Sequence, residues 1–237
     1  MSNHQSKFSE QTLSFLRSLE ENNNKTWFES HRSEYEAHLL NPFRELAENL
    51  QDTIRSIDPH LETTPAVNKT ISRIHRDIRF SKDKRPYRTS MWLGYKIAST
   101  GGWQSHPGFF FEIMPDMFRY GMGFYTTGTR TTEILRKEIT ENEYRFNAVL
   151  QWYRAQKEFI LDGDLYKQLK NIPVEEERAF WYVRKNIYLV HNGEIGSDLY
   201  GIDWSEQLKK SFLALQPAYY YFKHISELEK KELKPLL

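Results

Sequence analysis

Residues Gly108–Tyr125 read GFFFEIMPDMFRYGMGFY. Two aromatic-rich runs, Gly108–Met114 and Phe118–Tyr125, meet at Met114-Pro115-Asp116-Met117, which has the composition of a tight turn. Runs this short, rich in β-branched and aromatic residues and punctuated by Gly and Pro, fit strands better than helices. An antiparallel meander is therefore expected here. Working backwards, Ser90–Ile97 and Thr70–His75 share the same character, so the strand-rich region reaches back to about Val67. Working forwards, the nearly continuous apolar run Ile187–Val190 is expected to add one more strand.

Helical spacing flanks this region on both sides. Ser9 is a good N-cap, with Phe8 and Leu13 at the two staple positions, and Leu13, Leu16 and Leu19 follow before Asn22-Asn23-Asn24. A second helix is expected over Thr26–Leu40, with Trp27, His31 and Tyr35 on one face. Asn41-Pro42 then reads as the start of a third, carrying Phe43, Leu46, Leu50, Ile54 and Ile57 to Asp58-Pro59. Beyond the meander, helices are expected over Thr131–Glu141 and Glu143–Lys157, and Asp162-Gly163 is a turn. Asp203 and Glu206 form a capping box for a last helix that bends near Pro217 and frays into a charged tail. Helices, then strands, then helices describe an α+β fold: an antiparallel sheet of about five strands covered by N-terminal and C-terminal helices. One domain over 1–237 is expected, with its core at about 8–222 and a charged tail at 227–237.

Composition narrows the class. The absence of cysteine excludes disulfides and thiolate metal sites and fits a reducing compartment. The N-terminus MSNHQSK has no apolar signal core, and no run approaches the ~18 apolar residues of a membrane span. A cytoplasmic protein with no membrane partner is expected. Fourteen Tyr and fifteen Phe support a substantial core. Net charge is only +1, yet Lys69–Arg88 holds eight Lys/Arg and two Asp, a local +6 against −5 for the rest of the chain.

That stretch reads KTISRIHRDIRFSKDKRPYR. As a strand from Ile71 it puts Arg73, His75, Asp77 and Arg79 on one face and Ser72, Ile74, Arg76, Ile78 and Phe80 on the other, mostly core-facing one. Ile71, Ile74 and Ile78 also suit one helix face, but the loop composition of Ser81–Pro86 favours a strand to about Arg76 followed by a loop. The plainest reading is a solvated charged loop whose aspartates pair with local arginines. The sharper one is an anion site, because guanidinium forks match phosphate and carboxylate oxygens, and an Asp between them fixes their orientation.

The segment Arg76–Thr89, RDIRFSKDKRPYRT, resembles the hallmark of a widespread microbial and fungal family known as a domain of unknown function. That hallmark runs Arg-Asp-x-Arg-Phe, Ser-Lys-Asp-Lys, then Pro-Tyr-Lys. Asn23, Trp27-Phe28, Arg32 and Tyr35 are similar to the family's opening residues. Pro107-Gly108-Phe109-Phe110 and Gly121-x-Gly123 resemble its middle strands, and Arg136 an arginine on the following helix. The resemblance spans roughly Phe8–Phe222. Arg88 stands where Lys is usual, and His75 where an aromatic is common, which takes His75 off the list of catalytic candidates. The resemblance implies no reaction.

Trp27 and Phe28 are expected in the core. The site residues expected from this reading are Arg73, Arg76 and Arg79 on a small anionic ligand, with Asp77 and Asp83 orienting them. Lys84, Tyr87 and Arg88 close the site from the loop, and Arg32 and Tyr35 reach it from one helical side. The ligand is expected to be phosphorylated or carboxylated, in a cleft floored by the sheet. No cofactor is implied. No metal is implied either, since His75-x-Asp77 has no third ligand at a recognisable spacing. The glycine pieces, Gly101-Gly102, Gly121-x-Gly123 and Gly128, lack the Lys-Ser/Thr of a phosphate loop and need only turn and bulge roles. A second reading is nucleic-acid binding by the same patch, with Phe80, Tyr87, Trp92 and Tyr95 for stacking. A third is a structural domain in which Arg76 and Asp77 form a buried pair. The sequence sets no oligomeric state.

Overall fold

The computed structural model describes residues 8–97, 106–125, 127–167, 169 and 172–233. The Gly101-Gly102 pair and the last residues of the charged tail lie outside them. The chain opens with α1 (Glu10–Glu21), α2 (Lys25–Ser30), α3 (Arg32–Tyr35), a π-helical turn (Glu36–Leu40) and α4 (Asn41–Ile57). The strands are β1 (Met91–Tyr95), β2 (Gly108–Ile113), β3 (Met117–Phe124), β4 (Ile160–Asp162) and β5 (Ile187–Glu194). The later helices are α5 (Thr129–Glu141), α6 (Glu143–Ala155), α7 (Glu176–Tyr182), α8 (Ser197–Tyr200), α9 (Trp204–Ala214) and α10 (Gln216–Leu233). The strands form one antiparallel five-stranded sheet, order β1-β2-β3-β5-β4, with helices flanking it. This is the α+β arrangement that the sequence implies. No helix among the described residues is long and apolar enough to cross a membrane.

Contacts gather the chain into two compact units. The first takes in the residues up to Tyr95 together with Phe110–Tyr120 and Asn192–Ser211. Its core is aromatic: Phe8 meets Phe43 at 5.1 Å between ring centroids, and Trp204 meets Phe111 at 4.9 Å and Phe118 at 4.8 Å. The second takes in Lys96–Phe109, Gly121–His191 and the chain from Phe212 onwards. There α10 packs on α5 and α6, Phe124 meets Phe222 at 5.4 Å, and Phe146 lies edge-on to Trp181 at 5.6 Å. Gly121 and Gly123 are not turn residues. They lie within β3, where a Cβ would collide with the carbonyl oxygens of Leu189 and Ile187 on β5, so that close approach requires glycine.

Three expectations about elements are corrected. Thr26–Leu40 is not one helix: it breaks at His31, whose φ of −111° and ψ of 16° leave the helical region. Asn41-Pro42 does not start a separate helix either, because Leu40 and Asn41 are both helical and the chain runs on through the π turn. Pro42 has no N–H to give the His38 carbonyl one turn back. The wider turn accommodates this, and Thr12 Oγ1 donates to that carbonyl instead, at 2.8 Å. Finally, α10 does not fray at Glu227 but stays helical to Leu233. Leu215 breaks it from α9, and Pro217 sits in its first turn.

Candidate functional site

The arginine segment lies wholly within the first unit. It enters through a turn at Asn68, whose φ of +68° suits Asn better than most residues. Glu62 holds this entry: its Oε1 accepts from Thr64 N at 2.9 Å and Thr64 Oγ1 at 2.6 Å, and its Oε2 faces Lys69 Nζ at 3.3 Å. These bonds from Thr64, reinforced by Lys69, bring the Glu62 carboxyl down to about 2.

The strand expected over Thr70–His75 is not formed as such. Ser72 N donates to Trp92 O and Gly94 N to Thr70 O, at 2.9 and 2.8 Å. Further along, Arg88 N donates to Ile74 O and Arg76 N to Pro86 O, both at 2.8 Å. Between these two pairings lies only Arg73 on one side, but Thr89, Ser90 and Met91 on the other. The register slips, and isolated bridges replace a continuous ladder. From Ser72 the alternation of faces survives nonetheless: Ser72 and Ile74 are buried and Arg76 and Ile78 partly so, while Arg73, His75, Asp77 and Arg79 are exposed; Ile71, on the side of Arg73, is buried. Phe80 departs from its expected core-facing side and is 94% exposed.

The loop beyond is organised by two Asp-x-Arg units, Asp77-Ile78-Arg79 and Asp83-Lys84-Arg85. In each, the carboxylate accepts from the backbone N–H and the guanidinium of the arginine two residues on. Arg79 N, Nε and Nη2 reach Asp77 at 3.2, 3.0 and 2.7 Å. The corresponding atoms of Arg85 reach Asp83 at 3.0, 3.1 and 2.8 Å. Asp83 also accepts from Arg76 Nη1 at 2.7 Å, and the same nitrogen reaches Arg85 O at 3.2 Å. Arg76 thereby ties the base of the loop to its far limb. Lys84 Nζ donates inward to Ile78 O at 3.0 Å. The arginine bonds hold both carboxyls well below the usual carboxylate range, Asp77 through Arg79 and Asp83 through Arg85 and then Arg76.

The loop's return limb is fastened to the N-terminal helices. Asn23 Nδ2 donates to Tyr87 O and Tyr87 N donates to Asn23 Oδ1, each at 3.0 Å, so one amide satisfies both backbone groups of Tyr87. The Tyr87 ring is buried and stacks on Phe28 at 4.2 Å with an interplanar angle of 18°. Burial, then the Glu29 charge, pushes its phenol upward, and Arg32 opposes them. Arg32 Nη2 pairs with Glu29 at 2.8 Å, and its guanidinium lies 5.5 Å from the Phe28 ring centroid. Tyr35 is buried on Phe28 at 5.3 Å, and burial raises its phenol to about 12. Arg88 lies over Trp92 at 4.9 Å. Phe28 is fully buried, as expected, whereas Trp27 is only half-buried and stacks on His31 at 4.1 Å.

The two separated stretches of the resemblance, Asn23–Tyr35 and Arg76–Arg88, thus meet through Asn23, Phe28 and Tyr87. A family profile described as "Conserved hypothetical protein (DUF2461)" matches residues 11–221, which include both stretches. The chain belongs to the DUF2461 family. No curated protein matches it. The DUF2461 match contains every candidate site residue. Arg76, Asp77, Arg79, Asp83 and Lys84 belong to the bonded loop, and Arg73 is exposed just before it. Arg32, Tyr35 and the Tyr87 ring fall on the helical side, against Phe28. Sequence reasoning passed over Arg85 and Glu29 as partners. The repeated Asp-x-Arg spacing was a readable signal for Arg85. Glu29 lies three residues before Arg32, an ordinary helical pair.

Proposed function

We propose that the protein binds an anionic group, a phosphate or a carboxylate, on the arginine loop. Arg73, Arg76 and Arg79 supply the charge, Asp77 and Asp83 orient the forks, and Lys84 and Arg88 flank them. Tyr87, Arg32 and Tyr35 buttress the loop from the helical side. The observation that carries this reading is the pair of Asp-x-Arg units. Each aspartate fixes one edge of a guanidinium, yet the Arg79 and Arg85 side chains remain 77% and 52% exposed. Forks held rigidly in water lose little entropy when an oxyanion arrives, and two aspartates leave a local charge of +6.

The reading of this segment as a buried structural pair fits less well. Arg76 pairs with Asp83 rather than Asp77, and Asp77 pairs with an exposed Arg79. Exposed pairs of this kind are screened by water and contribute little to folding, so stability alone gives little reason for them.

Titration calorimetry with inorganic phosphate and with citrate tests the proposal, using Arg79→Gln as the diagnostic variant. Affinity is expected to fall about ten-fold or more, the worth of a charge-assisted bond. Unchanged affinity in Arg79→Gln and Arg76→Gln would remove the loop from any anion site.

A further inference from the structure

An oxyanion accounts for the arginines but not for Phe80. Among the described residues Phe80 is the most exposed large hydrophobic side chain, at 94%. Single exposed apolar residues are common, but this one is held in place. Arg79 N on one side is bonded to Asp77, and Ser81 N on the other reaches Ile78 O at 3.4 Å. The Ile78 carbonyl also takes the Lys84 ammonium. The turn therefore presents the ring outward, with the Arg79 guanidinium 5.7 Å from its centroid. Lys82, Lys84 and Arg85 follow directly in the chain, and all three are exposed.

A ligand that answers both features carries phosphates and flat unsaturated rings together. We propose that the arginine loop binds single-stranded nucleic acid, with a base stacked on Phe80 and adjoining phosphates on Arg79, Lys82 and Arg85. This rests on the anion reading above and deepens it. Bases of a duplex are stacked on one another and offer only their edges, so a convex ring selects an unpaired strand. An anionic membrane surface shares the charge but not the geometry. Phe80 has no exposed apolar neighbour in the loop to enter a bilayer with it, and Arg79 would have to be desolvated with the ring. Over a base, the same guanidinium extends the stack.

The test is fluorescence anisotropy of a labelled oligo-dT strand with the full chain at low salt, beside phosphate calorimetry on the same proteins. Phe80→Ala is expected to weaken oligonucleotide binding about ten-fold, the worth of one stacked base, and to leave phosphate binding unchanged. Phe80→Trp is expected to restore binding, with quenching of the new indole by the strand. Phe80→Leu, which keeps apolar area but not a stackable face, is expected to behave like Phe80→Ala. Three phosphate contacts give a slope of log affinity against log salt of about −2. Oligonucleotide affinity equal in wild type and Phe80→Ala overturns the inference. So does Phe80-dependent capture by phosphatidylserine vesicles, retained in Phe80→Leu, without oligonucleotide binding. Phosphate binding without oligonucleotide binding removes the nucleic-acid step alone; loss of both removes the anion reading as well.

Discussion

Asn23 and Tyr87 stand 64 residues apart, and a single carboxamide joins them through two hydrogen bonds. Asn23→Ala strips both partners from a half-buried backbone unit and is expected to cost about 1–3 kcal/mol, read by urea denaturation. Asn23→Asp keeps the acceptor but sets a carboxylate against the Tyr87 carbonyl, and is expected to recover only part of the loss. Glu62 supplies a pH signature at the same scale. Its carboxyl falls from 4.5 to about 2 on folding, so its contribution is fully present above about pH 4.5 and disappears as pH drops towards 2. In Glu62→Gln the acid limb of the thermal-stability curve is expected to flatten over that window. The charged residues of the loop were legible in the sequence. Their pairing was only partly so, because Arg76 could choose between Asp77, adjacent in the chain, and Asp83, adjacent only once the loop closes.

Among the elements, the π turn between α3 and α4 depends on a residue outside both. Thr12 Oγ1 accepts from Ser9 N at the start of α1 and donates to the His38 carbonyl that Pro42 leaves unserved. Thr12→Val preserves shape and removes both bonds. It is expected to cost about 1–2 kcal/mol in thermal denaturation, and Thr12→Ser is expected to restore most of it. A proline after an asparagine reads as a helix start because that is its commonest use. What makes it internal here is a hydroxyl 26 residues from His38, which no local pattern reveals. The Thr70–His75 segment fails for a related reason. Its alternating pattern from Ser72 onward was visible, but a ladder also needs a partner in register, and the two-residue offset made by Thr89–Met91 against Arg73 belongs to that partner.

For the molecule as a whole, periodicity was enough for the α+β class, the meander and the amphipathic helices. Short elements escaped it: β4 has three residues, paired from Ile160↔Val190 to Asp162↔Tyr188, and α7 has seven, too few for a repeat to register. Gly121 and Gly123 looked like punctuation because the β5 backbone that crowds them arrives some 65 residues later in the chain. Trypsin offers a different view of the loop tied by Arg76 and Asp83. Lys82 and Lys84 are exposed cleavage points, and Pro86 protects the bond after Arg85. A protease, however, must draw several residues into an extended strand, and here the backbone N–H groups of Arg76, Arg79, Arg85 and Tyr87 are all engaged. Cutting after Lys82 or Lys84 should wait for the loop to open. In Asp83→Asn, which weakens the ties to Arg76 and Arg85, nicking in a timed digest is expected to run several-fold faster than in the parent chain, while the helices resist as before.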